Sequence, residues 1–114
     1  MSKSLAELKE IQKQFDLGHT GEKQPFYIEI TEKNVSDLEH LAVCLAGEVG
    51  EFCNILKKVT RGDFTFDQSK PELSAELADI FIYLIKIANQ ADIDIEHATL
   101  NKIEHNKLRF KRAP

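Results

Sequence analysis

Residues 41–56 read LAVCLAGEVGEFCNIL, and residues 77–88 read LADIFIYLIKIA. In the first run, Leu41, Leu45, Glu48 and Phe52 follow one another along a single helical stripe. A carboxylate inside an apolar stripe is costly unless it is paired or binds a metal. Gly47 and Gly50 flank Glu48, and each costs about 1 kcal/mol relative to alanine inside a helix. They make sense where another backbone or a ligand comes close; the plainer alternative is a solvent-facing acidic pair with packing glycines. The second run is apolar nearly all round, as in a helix buried on most sides. At about 100° per residue, Glu76, Asp79, Tyr83 and Lys86 form its one polar seam. Such a seam faces an opposite charge, a metal or a water-filled cleft. A salt bridge from Asp79 to a lysine is the simpler alternative.

Three more segments complete the pattern. Leu5, Leu8, Ile11 and Phe15 recur at helical spacing over residues 4–16, and Gly18 and Gly21 stop that helix. Residues 19–33 are loop-like, with a short extended piece at PFYIEI (25–30). Ser36 and Glu39 read as a capping box that opens a helix running to about residue 60, where Arg61-Gly62-Asp63 breaks it. After a loop over 62–69, Ser69-Lys70-Pro71-Glu72 opens the next helix, with Pro71 in its first turn. That helix runs to about residue 90. Asp92 or Asp94 caps a last helix over 95–109. Four helices without a sheet predict an all-α, four-helix-bundle-like fold, with residues 1–114 as one domain.

Composition narrows the function. No run of about 18 apolar residues exists, so no membrane span is expected. The start, MSKSLAELKE, lacks the apolar stretch of a secretory signal. Cys44 and Cys53 lie about 13 Å apart along one helix, too far for a disulfide, so two free thiols point to the cytoplasm. The net charge of −4 is uneven: residues 1–101 carry ten Lys/Arg against eighteen Asp/Glu, and residues 102–114 five against one. An acidic body disfavours a nucleic-acid polymer as partner.

Acidic pairs three apart are common in a chain this acidic, so context has to separate them. Glu7/Glu10 and Glu29/Glu32 read as solvated charge. Glu48/Glu51 and Glu76/Asp79 lie in apolar helices, and packed helices run about 8–10 Å apart. Four carboxylates can then meet at one point, where a hard divalent cation relieves their repulsion. Octahedral oxygen coordination suits Mg²⁺ or Mn²⁺. On the last helix Lys102, Asn106 and Arg109 share a face able to hold phosphates; Lys57, Lys58 and Arg61 are secondary candidates. His40 and Cys44 make only half of a zinc site. No Glu-x-x-His, P-loop, GxGxxG or GxSxG pattern occurs. Phe15, Phe26 and Tyr27 read as core packing rather than base stacking.

GEVGEF (47–52), a polar spacer and ELADIFIYLI (76–85) together resemble the MazG-like all-α nucleotide pyrophosphohydrolases. The family signature, ExxE then ExxD, reads Glu48-Val49-Gly50-Glu51, twenty-four residues, then Glu76-Leu77-Ala78-Asp79. KIEHNKLRF (102–110) is similar to the family's final helix. The resemblance implies hydrolysis of a nucleoside triphosphate, commonly a deoxynucleotide, to the monophosphate and pyrophosphate. It implies that Glu48, Glu51, Glu76 and Asp79 are catalytic and hold Mg²⁺, that Lys102, Asn106 and Arg109 position phosphates, and that the chain forms a homodimer or a dimer of dimers. A role in nucleotide-pool clean-up follows from the same resemblance. Gly47 departs from the acidic residue many relatives carry before ExxE, and the absence of Trp removes a base-stacking group that some relatives use. The base-binding residues therefore stay open. The rival readings are a Mg²⁺-dependent hydrolase of another phosphorylated metabolite and a catalytically silent helical oligomer that binds a nucleotide or a protein.

Overall fold

A computed structural model describes residues 1–113. Helix α1 spans Leu5–Leu17, α2 Val35–Thr60, α3 Phe66–Gln90 and α4 Ile95–Arg109. No strand occurs among the described residues, and the extended stretch after α1 contributes only an isolated bridge between Thr20 and Pro25. The all-α expectation holds, with two of the four helix starts shifted.

Ser4 caps α1 through a box with Glu7: its hydroxyl accepts from the Glu7 N–H and its own N–H donates to Glu7 Oε1, both at 3.1 Å. Glu7 is thus a structural group rather than a merely solvated charge. The box expected from Ser36 and Glu39 does not form, because α2 opens one residue earlier, after Asn34. The Asn34 side chain instead braces the incoming turn, donating to the Glu29 carbonyl at 2.9 Å and accepting from the Thr31 N–H. Helix α3 begins at Phe66, not near Ser69. Thr65 and Gln68 form the working box there, so the loop is shorter than expected and Pro71 lies inside the helix rather than in its first turn. Two Ser/Thr-x-x-Glu/Gln signals compete in this stretch, and the upstream one is used. Asp94 caps α4 by accepting from the His97 N–H at 3.0 Å.

The turn between α2 and α3 is a Schellman motif. Gly62 takes φ +92°, the Asp63 N–H reaches the Lys58 carbonyl at 2.9 Å, and the Gly62 N–H reaches Val59 at 3.0 Å. The chain reverses, and α2 and α3 pack along each other as an antiparallel pair. Leu41 and Ile55 on α2 and Leu73, Ile85 and Ala88 on α3 are the buried apolar residues strung along this pair. Leu45, Glu48 and Phe52 continue the half-buried inner face of α2, as the stripe predicts.

Helix α1 crosses α3 with an unexpected face. Lys9, Gln12 and Asp16 turn inward, and the Lys9 carbonyl accepts from Asn89 Nδ2 at 3.0 Å. The stripe Leu8, Ile11 and Phe15 is open to solvent, and Phe15 stacks on His19 instead of entering the core. Phe26 is likewise exposed. On α3, Leu77, Phe81 and Leu84 are exposed, so that helix is not buried on most sides within one chain. Helix α4 contains no buried residue, and Leu108 is 90% exposed. The radius of gyration is 17.2 Å, against about 13 Å for a compact domain of this length. One chain is therefore an α2–α3 hairpin carrying α1, with α4 standing apart, and not a closed four-helix bundle.

Gln90, only 2% exposed, ties the extended segment to the end of α3. Its Oε1 accepts from the Ile28 N–H at 3.1 Å, its Nε2 donates to the Phe26 carbonyl at 3.0 Å, and its own carbonyl accepts from Ile30 at 2.8 Å. Gln90→Leu keeps the volume but leaves two backbone groups without partners. We expect a loss of about 1–3 kcal/mol in a urea titration, and faster hydrogen exchange at the Ile28 amide.

Candidate metal centre and adjoining cavity

The antiparallel hairpin brings the two acidic pairs together. Glu48, Glu76 and Asp79 each offer a carboxylate oxygen, and these oxygens lie within 4.8 Å of one another. Glu51, one turn beyond Glu48, is more exposed, and its charge acts on both Glu48 and Glu76. No ion pair among the described residues involves any of the four. The alternative of a lysine paired with Asp79 is excluded on that evidence.

The electrostatics follow. Loss of hydration, hydrogen bonding to Glu48 and Glu51, and the charges of both raise Glu76 from the usual 4.5 to about 7. Glu48 is raised as well: loss of hydration and the Glu51 and Asp79 charges outweigh the lowering by Glu76. One oxygen each of Glu48 and Glu76, both Oε2, is shielded from solvent without a hydrogen-bond partner. Three convergent oxygen donors, two orphaned oxygens and no compensating cation fit a hard divalent ion, and Glu48, Glu76 and Asp79 would hold it.

A cavity of about 290 Å³ lies beside the cluster, lined among others by Phe26, Asp37, His40, Cys44, Tyr83 and Lys86. Cys44 is one turn before Glu48, and Tyr83 one turn after Asp79. The Tyr83 hydroxyl is raised by loss of hydration, by Cys44, and by the Glu48 and Asp79 charges, which places cluster and cavity side by side. His40 Nε2 lies 3.7 Å from Cys44 Sγ.

Residues 36–110 match the MazG nucleotide pyrophosphohydrolase domain. The chain belongs to that family. Among curated relatives of this MazG chain, it is similar to the Gene 37 protein of Mycobacterium phage L5, with 34% identity over 67% of this chain and 71% of that one. It is also similar to human dCTP pyrophosphatase 1, with 31% identity over 62% of this chain, and to the rat protein of that name, at 28%. The chain spans 44% of the length of each of these two pyrophosphatases.

The remaining expected residues of the MazG chain are placed differently. Lys102 and Arg109 are exposed on α4, Asn106 is half-buried there, and none of the three lines the cavity. Arg61 pairs with Asp63, Nε to Oδ2 at 2.7 Å, while Lys58 is half-buried near the end of α2. The polar seam of α3 divides. Glu76 and Asp79 join the cluster, Tyr83 faces the cavity, and Lys86 pairs with Asp16 at 3.0 Å. Asp16 is the residue that sequence reading missed. It is fully buried, accepts from Lys86 Nζ and Gln12 Nε2, and its partner lies seventy residues away. The one available signal was an acidic residue sharing a helix face with Leu5, Lys9 and Gln12.

The raised Glu76 makes stability depend on pH. The folded chain keeps a proton up to about pH 7 that the unfolded chain releases near 4.5. This group therefore takes stability away as pH rises through that window. Thermal denaturation without divalent ions should show a Tm that falls from pH 5 to pH 8. Mg²⁺ should raise Tm more at pH 8 than at pH 5, because proton and metal compete for the same oxygens. Glu76→Gln should flatten both dependences.

Proposed function

We propose that this chain is a Mg²⁺-dependent nucleoside triphosphate pyrophosphohydrolase acting on deoxynucleotides. It converts a (d)NTP and water to the (d)NMP and pyrophosphate, and serves to clear unwanted nucleotides. The observation that carries this reading is the convergence of Glu48, Glu76 and Asp79 with no cation supplied by the chain. Mn²⁺ fits the same oxygens. The dCTP named for the mammalian relatives is a deoxynucleotide, which supports that substrate class here.

Bound Mg²⁺ supplies Lewis acidity, polarising the phosphates and stabilising the charge that develops during attack. The residues of the chain do the rest. Glu48, Glu76 and Asp79 hold the metal. Glu51, one turn beyond Glu48, joins them at the metal or orients the attacking water and accepts its proton. Attack falls on the α-phosphorus, and pyrophosphate leaves. The nucleoside lies in the cavity beside Tyr83. Lys102, Asn106 and Arg109 position the outgoing phosphates, with Lys58 and Arg61 in a lesser part. Glu51→Gln and Asp79→Asn should each abolish Mg²⁺-dependent pyrophosphate release while circular dichroism stays native. Full turnover in either variant overturns the assignment.

The reading includes a homo-oligomer, a dimer or a dimer of dimers. Apolar stripes on α1, α3 and α4 are open in one chain, and α4 has no seat on the hairpin. An added methyl group at Gly47 or Gly50 would meet nothing within the chain, so the close approach suggested by these glycines involves something outside it. Light scattering after gel filtration should give the mass of two or four chains. Gly50→Ala reads the same face independently. It should stabilise a lone chain by about 0.5–1 kcal/mol through helix propensity, and weaken an assembly that packs there.

A further inference from the structure

Lys86 pairs with Asp16 to tie α1 to α3, and the proposed hydrolysis gives its ammonium in the cavity no task. Its side chain is 12% exposed, and Nζ is fixed 3.0 Å from Asp16 Oδ1. The ammonium stands 5.0 Å from the centre of the Phe26 ring and 5.8 Å from that of Tyr83. An ammonium has three N–H donors and no acceptor. One goes to Asp16, and among the described residues Nζ makes no second hydrogen bond. Of the other polar groups of the wall, Gln90 is committed. Both ends of its amide bind backbone, and His40 Nε2 lies 3.7 Å from Cys44 Sγ. Lys23 also lines the cavity, but it sits on the exposed loop. The aromatic faces of Phe26 and Tyr83 suit a planar ring.

We propose that Lys86, positioned by Asp16, recognises the oxo group of the substrate's base and thereby favours pyrimidine and guanine nucleotides over adenine nucleotides. The inference rests on the nucleotide reading above. Asp37 lines the same cavity and offers an acceptor to the amino group of cytosine, guanine or adenine, so it does not separate these three. What separates the bases is the carbonyl oxygen, which adenine lacks and which a cationic donor binds well. A site built around such a bond disfavours a ring that offers only weaker nitrogen acceptors in its place, because the N–H groups that Asp16 does not take then lose the stronger bond.

The test measures calorimetric binding of dCMP, dTMP, dGMP and dAMP with Mg²⁺ present, beside pyrophosphate release from the matching triphosphates. The wild-type chain should bind the three oxo-bearing nucleotides more tightly than dAMP. Lys86→Met should weaken those three about ten- to a hundredfold and change dAMP little. The loss should appear in KM more than in kcat, and Lys86→Arg should restore part of it. Lys86→Met leaves the buried Asp16 carboxylate unpaired and endangers folding, so the Asp16→Asn/Lys86→Met double variant removes both charges. The ratio of dCMP to dAMP affinity within one preparation does not depend on the fraction folded. An unchanged ratio in the double variant overturns the inference, as does a wild-type chain that binds none of the four. A lost ratio in a chain that releases no pyrophosphate would keep the inference and overturn the hydrolase reading. Mg²⁺-dependent release with an unchanged ratio would do the reverse.

Discussion

Mutual repulsion among carboxylates between α2 and α3 is the constraint around which the rest of the chain is arranged. Glu48 lies twelve residues before the end of α2 and Glu76 ten residues after the start of α3, about 18 Å and about 15 Å along their helices from the turn. The Schellman geometry at Gly62 sets that register, and a side chain other than glycine would strain it. A slip of the hairpin by one turn would move Glu76 away from Glu48 and dissolve the cluster. The fold thus spends its largest helix–helix contact on holding like charges together. That arrangement is unfavourable for the bare chain, and Glu76 answers by keeping its proton to about pH 7. It becomes favourable once a cation shares the oxygens.

A second buried charge governs the other side of the cavity. Asp16 and Lys86 bridge α1 to α3, and their attraction has to offset the loss of hydration of both ions. Such a pair is weak evidence of stability, since a well-packed apolar pair is often as good. Its effect here is positional. It holds α1 across α3 with a polar face inward and fixes one cation at the wall of the cavity. Asp16 Oδ2 has no partner, so the pair is not fully satisfied even within its own shell. Placement of Lys86 is what the chain gains from that cost.

Local sequence carried much of this. The inner stripe of α2, the end of α1 and the cap of α4 are local patterns, and each is found where the pattern puts it; of the four carboxylates expected to meet, Glu48, Glu76 and Asp79 converge and Glu51 stays outside the group. The start of α3 was misread because Thr65-x-x-Gln68 and Ser69-x-x-Glu72 are the same kind of signal, and nothing local ranks them. The inward face of α1 was illegible for a different reason. Periodicity says which residues share a face, but not whether that face is covered by the same chain. Leu8, Ile11 and Phe15 form a good stripe and are nevertheless exposed, while the face holding Asp16 is covered. Asp16 itself gains meaning only from Lys86, and no helical period connects residues seventy apart.

The separation of charge along the sequence has a physical reading under the proposed function. The hairpin presents carboxylates without a cation, and α4 carries a basic face without a buried anion partner. A triphosphate cannot approach the carboxylates alone, since both are negative. It needs a divalent ion on the side of the cluster and basic side chains on the side of its outer phosphates. Had the basic residues of α4 stood among Glu48, Glu76 and Asp79, as Lys86 stands beside Asp16, they would have neutralised the cluster and removed its affinity for a metal. Setting them on a separate helix keeps the carboxylates free. The same separation leaves α4 without a core of its own, and its exposed Leu100, Ile103 and Leu108 then call for apolar cover from outside the chain. Charge segregation at the site and incomplete burial of the single chain are in this way two consequences of one arrangement.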